Sequence, residues 1–172
     1  MIQRARMLVS NASKVRSRVC LFDATVSSIQ SRASLGELSM PTEYPSRVRV
    51  GFFATCLVDI MRPRVGFASV ELLEKAGCEV DVPRNQSCCG QPAYNNGDEA
   101  NSLEIARQVI VAFEDFDYVV LPSGSCAAMI IDHYPRLFRN EWGWLARSRD
   151  LSARTCELTR FLVEVMGVDA GE

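Results

Sequence analysis

Seven cysteines and a single histidine, His133, carry most of the chemical capacity of this 172-residue chain. Cys56 follows the run Phe52-Phe53-Ala54-Thr55, Cys88 and Cys89 are adjacent and precede Gly90, and Cys126 follows Pro122-Ser123-Gly124-Ser125. Thiolates are soft ligands that select zinc or iron–sulfur over calcium or magnesium. With one histidine in the chain, a metal site here must rest mainly on sulfur. An odd cysteine count without a secretory apolar stretch argues against a disulfide framework and for a reducing, cytoplasmic setting. Each position also has a plain structural reading. An adjacent Cys-Cys pair can be two small buried hydrophobes, Cys56 can be a core residue at a strand end, and Cys126 can be a low-pKa thiol near a helix start. Cys20, Cys78 and Cys156 read as structural or incidental, and His133 as a surface or cap residue.

What turns four cysteines into one site is the order of the elements around them. A β-rich run over 48–53 leads to Cys56. Pro63 suits the first turn of a helix whose apolar positions are Val65, Ala68, Leu72, Leu73 and Ala76, with Gly77 as its stop. A second strand over 79–82 leads to Cys88 and Cys89. Asp98 is a candidate N-cap for a helix with Leu103, Ala106, Ile110 and Phe113 on one face. A third strand over 118–121 leads to Cys126. Helical turns follow through Trp142–Trp144, and a last helix is predicted from Thr155 to Met166 with Leu158, Phe161, Leu162 and Val165 on one face.

Strands alternating with helices through short connections predict an α/β fold, a three-layer parallel-sheet domain with right-handed crossovers. The loops after all three strands then share the carboxyl edge of the sheet, where open α/β folds hold their ligands. Topology thus predicts that Cys56, Cys88, Cys89 and Cys126 meet. Helix N-termini at that edge would offset the charge of a negatively charged cluster, and Gly90 and Gly124 are expected to let backbone N–H groups approach it.

Bulk properties narrow the partners. A net charge of −2 and a pI near 5.5 argue against nucleic acid or anionic membrane as the main partner. No apolar run approaches the roughly 20 residues of a transmembrane segment. Residues 1–46 differ in composition: up to Arg32 there are six basic residues against one acidic residue, and serine is frequent. They are expected to form an irregular, disordered extension, with an organelle transit peptide as the other reading. Residues 47–172 are expected to form a single cysteine-rich domain with C-terminal helices.

Three motifs carry a resemblance: Phe53-Ala54-Thr55-Cys56-Leu57-Val58-Asp59, Cys88-Cys89-Gly90-Gln91-Pro92-Ala93-Tyr94-Asn95, and Pro122-Ser123-Gly124-Ser125-Cys126-Ala127-Ala128-Met129. Together they resemble the cysteine-rich CCG family of iron–sulfur oxidoreductases, which includes the cysteine-rich component of heterodisulfide reductase, the iron–sulfur component of glycolate oxidase and, nearest in its text, lactate utilization protein A. The resemblance runs from about Arg47 to Met166 and covers one repeat where the family normally carries two. It implies an electron-transfer subunit of an L-lactate (2-hydroxy acid) oxidising complex, acting with a ferredoxin-type iron–sulfur subunit and a third subunit. It also implies a 4Fe-4S cluster on Cys56, Cys88, Cys89 and Cys126. The family pattern ends Cys-x-x-Cys, and Met129 stands at the last position, so four thiolates and an ordinary cubane are expected, with Met129 in the core. Two alternatives remain on the residues alone: a structural zinc or thiol-binding interaction module without a redox role, and a Cys88–Cys89 dithiol. No G-x-G-x-x-G flavin fingerprint and no obvious base for a lactate hydroxyl occur, so a subunit rather than a free-standing enzyme is expected.

Overall fold

The computed structural model describes residues 47–169; the region 1–46, with the extension expected there and Cys20, lies outside the described residues. Four strands, β1 (Arg49–Phe52), β2 (Glu79–Asp81), β3 (Tyr118–Leu121) and β4 (Thr155–Glu157), form one sheet in the order β2-β1-β3-β4. All pairings are parallel, with Val50 opposite Val80 and Tyr118, and Val120 opposite Cys156. This is the doubly wound α/β arrangement that the alternation of elements predicts. The chain reverses its direction of winding between β1 and β3, so the switch point of the sheet lies at the ends of those two strands.

Alternation along the strands separates two cores. Val50, Phe52, Val120 and Cys156 face one layer, with Leu73 of α2 (Pro63–Lys75) and Phe161 of the C-terminal helical segment. Phe53, Val119 and Leu121 face the other, which holds α4 (Glu99–Phe113), α5 (Gly124–Ala128), α6 (Tyr134–Leu137) and α7 (Trp142–Ala153). The predicted face of α4 is the observed one, since Ala106, Ile110 and Phe113 are buried and Leu103 packs against them. Short helices α1 (Cys56–Met61) and α3 (Gln91–Asn95) open the loops after β1 and β2. A π-helical turn, Met129–His133, joins α5 to α6. Met129 is buried in the core, the place expected of it.

One expectation is corrected. Thr155–Glu157 is not the start of the last helix but the edge strand β4, which places Cys156 in the sheet. The helix begins three residues later than expected, as α8 (Leu158–Arg160), and continues as a π-helical turn, Phe161–Val165. Glu157 sets that boundary: its carboxylate accepts from the Thr159 and Arg160 backbone N–H groups at 2.9 and 3.2 Å, the contact of an N-cap. The apolar spacing of α2 does not mark the face it buries. Its apolar positions Val65, Ala68 and Leu72 face outward, and the residues turned to the protein are Gly66, Ser69 and Leu73. Small residues let this helix lie close over the sheet, and the hydroxyl of Ser69 is satisfied within its own helix by the Val65 carbonyl at 2.7 Å.

Candidate metal centre

Each of the four cysteines predicted to converge sits at the carboxyl edge. Cys56 is the first residue of α1, Cys88 and Cys89 end the loop after β2, and Cys126 lies in the first turn of α5. The sulfurs stand as two pairs, Cys56 with Cys88 at 4.0 Å and Cys89 with Cys126 at 3.2 Å. Cys89 and Cys126 are buried, whereas Cys56 and Cys88 are half-buried and line an open cleft with Ala54, Asp59, Ile60, Val82, Gln86 and Ser87. The other two cysteines among the described residues stay apart. Cys78 and Cys156 belong to the opposite core, and the Cys78 thiol points at the Met166 sulfur at 3.8 Å.

The 3.2 Å contact polarises its pair. Cys126 accepts from the Cys89 thiol, and this bond, aided by the hydroxyls of Ser123 and Ser125, lowers the Cys126 pKa to about 6. The same hydrogen bond, together with burial, pushes Cys89 far above the ordinary thiol range. One proton is thus shared between two sulfurs, and the value belongs to the pair. Burial and then the neighbouring Cys88 raise Cys56. In metal-free, anaerobic protein, thiolate ultraviolet absorbance should rise by one group with a midpoint near pH 6, protonated below and ionised above. The step should be missing in Cys126→Ser.

Two residues that the sequence did not flag, Tyr134 and Gln86, hold this edge together. The buried hydroxyl of Tyr134 donates to the Cys89 carbonyl at 2.9 Å, bracing the double-cysteine loop from across the core. Burial raises the Tyr134 pKa well above the usual value, so it stays a donor. Gln86 joins two loops: its amide oxygen accepts from the Ala54 N–H at 2.9 Å, and its amide nitrogen donates to the Pro83 carbonyl at 3.0 Å. The segment before Cys56 and the segment before Cys88 are therefore tied. Asp98 caps α4 through the Asn101 N–H at 3.1 Å, as predicted. Tyr134→Phe would leave a buried carbonyl unpaired, and urea unfolding should show a loss of about 1–3 kcal/mol.

Gly90 adopts φ +83°, a left-handed conformation that favours glycine, and a β-carbon there would come within 3.2 Å of Ile105. Gly124 has no positive φ, and a β-carbon there would meet nothing within 4 Å. His133 is half-buried and stacks on Tyr94 with ring centroids 4.5 Å apart, and its Nδ1 is buried without a partner among the described residues.

As a donor set, four thiols with no imidazole or carboxylate between them suit a thiophilic metal or an iron–sulfur group. Among the described residues, no three of His, Cys, Asp or Glu already stand in a coordinating arrangement.

This sheet edge with its double cysteine defines a class. Residues 50–131 match the model of the CCG family, a cysteine-rich domain. Among curated proteins, the chain is similar to Lactate utilization protein A of Macrococcus caseolyticus, with 53% identity over 121 residues, 70% of this chain and 49% of the relative. It is likewise similar to Lactate utilization protein A of Geobacillus thermodenitrificans (51% over 122 residues; 71% of this chain, 51% of the relative). The protein of the same name from Bacillus subtilis is 48% identical over 122 residues, with the same coverage of 71% and 51%. The chain spans about half the length of the curated relatives it matches. No solved structure matches it. No helix among the described residues is long and apolar enough to cross a membrane.

Proposed function

We propose that Cys56, Cys88, Cys89 and Cys126 hold a 4Fe-4S cluster, and that the chain relays electrons in the oxidation of L-lactate or a similar 2-hydroxy acid. The observation that carries this reading is the meeting of four thiols from three strand-end loops at one sheet edge, in two sulfur contacts of 4.0 and 3.2 Å. When bound, such a cluster supplies one-electron storage. The protein supplies the rest. Tyr134 and Gln86 hold the loops in register, Gly90 brings backbone close, and the first turns of α1 and α5 present N–H groups to negative charge. Cys56 and Cys88 lie on the open side, the direct path for electrons to a ferredoxin-type subunit and a third subunit of a lactate-utilisation assembly. The lactate assignment rests on the names of the relatives, of which this chain spans half.

Anaerobically purified protein should be brown, contain about four irons per chain and lose visible absorbance on reduction, with a paramagnetic resonance signal in the reduced state. Protein that stays colourless and iron-free after anaerobic reconstitution would sink the reading. One observation favours a second reading, a structural zinc. Four sulfurs at about 2.3 Å from a tetrahedral metal lie about 3.8 Å apart, and the observed contacts of 3.2 and 4.0 Å bracket that spacing. About one zinc per chain in anaerobic protein that also lacks iron would establish it.

A further inference from the structure

We infer that a second cleft, lined by Tyr94, Gly97, Glu99, Arg136, Leu137 and Arg139, is a binding site for a small organic monocarboxylate. It shares no residue with the cleft at Cys56 and Cys88. Its volume of about 190 Å³ lies below the roughly 300–1,000 Å³ of pockets for drug-sized ligands, so its occupant must be small.

The charges of the cleft select the ligand. Guanidinium groups match carboxylates in both geometry and charge. Arg136 is exposed and forms no ion pair with a described residue. Arg139 meets Glu99 only at 3.6 Å, and both side chains are more than half exposed. Such a surface pair is weak, so Arg139 can turn to a ligand at little cost. Two arginines and one glutamate leave a single positive charge, which suits a monoanion, whereas a phosphate dianion would be opposed by Glu99. Leu137 and the Tyr94 ring add apolar surface for a short alkyl group, and Tyr94 is held by its stack on His133 at 4.5 Å. The Arg139 guanidinium also donates to the Arg136 carbonyl at 3.3 Å, which keeps the two cations on one turn. The cleft is joined to the sulfur edge from both sides. Tyr94 belongs to α3, directly after Cys89 and Gly90, and α6, with Arg136 and Leu137, is tied to the Cys89 carbonyl by Tyr134. Taking L-lactate as the ligand rests on the proposed function; the donors in the cleft do not.

Titration of the nitrogen-15-labelled full chain with L-lactate, followed by its amide resonances, tests the site. The amides of Gly97, Glu99, Leu137 and Arg139 should shift and saturate, and uncharged lactamide should leave them unmoved. Arg136→Gln should raise the dissociation constant about tenfold or more, the loss of one charge-assisted contact. Arg149→Gln, at an exposed position of α7 outside the cleft, should not. If Arg136→Gln fails to fold, Arg139→Gln decides in its place. No saturable shift, equal shifts with lactamide, tighter binding of inorganic phosphate, or undiminished affinity in the arginine variant would each overturn the inference. Iron analysis of the same samples reports on the cluster separately. An iron-free protein that binds L-lactate would remove the cluster and leave this site standing.

Discussion

Cys126→Ser is expected to lower the metal content of anaerobically prepared protein more than about tenfold, while Cys78→Ala retains it. Cys126 is the thiol whose surroundings most favour the ionised form that binds metal, with Cys89 donating to it at 3.2 Å and its pKa lowered to about 6. Serine keeps the size but offers a hydroxyl that stays protonated at neutral pH. Cys78 lies in the opposite core against Met166, so its removal tests for a general folding effect. The same variant separates the remaining alternative. A functional Cys88–Cys89 dithiol would survive the loss of Cys126 and would still be captured by an arsenical reagent. Retention of metal in Cys126→Ser would remove this thiol from the ligand set.

Gly51→Val is expected to destabilise the domain by about 3 kcal/mol, the upper end for overpacking a filled core, lowering Tm by roughly 10 °C. Gly51 lies in β1 between β2 and β3, and a β-carbon there would fall 2.8 Å from the Phe113 ring and 2.7 Å from the Phe116 ring. Phe113 is fully buried and stacks on Phe53 at 5.3 Å, so it has no free space to move into. Gly124→Ala is the contrasting change. With nothing within 4 Å and no left-handed φ, it should be neutral or stabilise metal-free protein by up to about 1 kcal/mol. Thermal unfolding of both variants distinguishes a glycine kept for space from one that is replaceable.

Three strands, the helix over 99–113 and the meeting of the four cysteines were legible because each rests on local pattern plus the handedness of parallel crossovers. The edge strand β4 was not. Three residues are too few to show a period of two, and its neighbours continue a helical pattern that hides it. The stripe of α2 was legible as a stripe. Periodicity reveals an apolar face without saying what covers it, and here Gly66 and Ser69 win the sheet by being small. Tyr134 and Gln86 gave no signal, since a buried hydroxyl or amide declares itself only through the distant backbone it meets. Ligand residues can be counted along a chain, but the bonds that brace them exist only in the fold.

The arrangement of the four thiols on three loops has a consequence for folding. The two sulfur contacts join residues 32 and 37 positions apart, so a metal held there acts as a cross-link closing two long, successive stretches of chain. Closing such loops removes freedom mainly from the unfolded chain, in the manner of a disulfide but with a bond that chelators can undo. Affinity for the metal is then also a measure of cooperativity. Each of the three strands followed by a cysteine-bearing loop would lose its independence once the site is filled, and unfolding of the sheet and release of the metal would become one event.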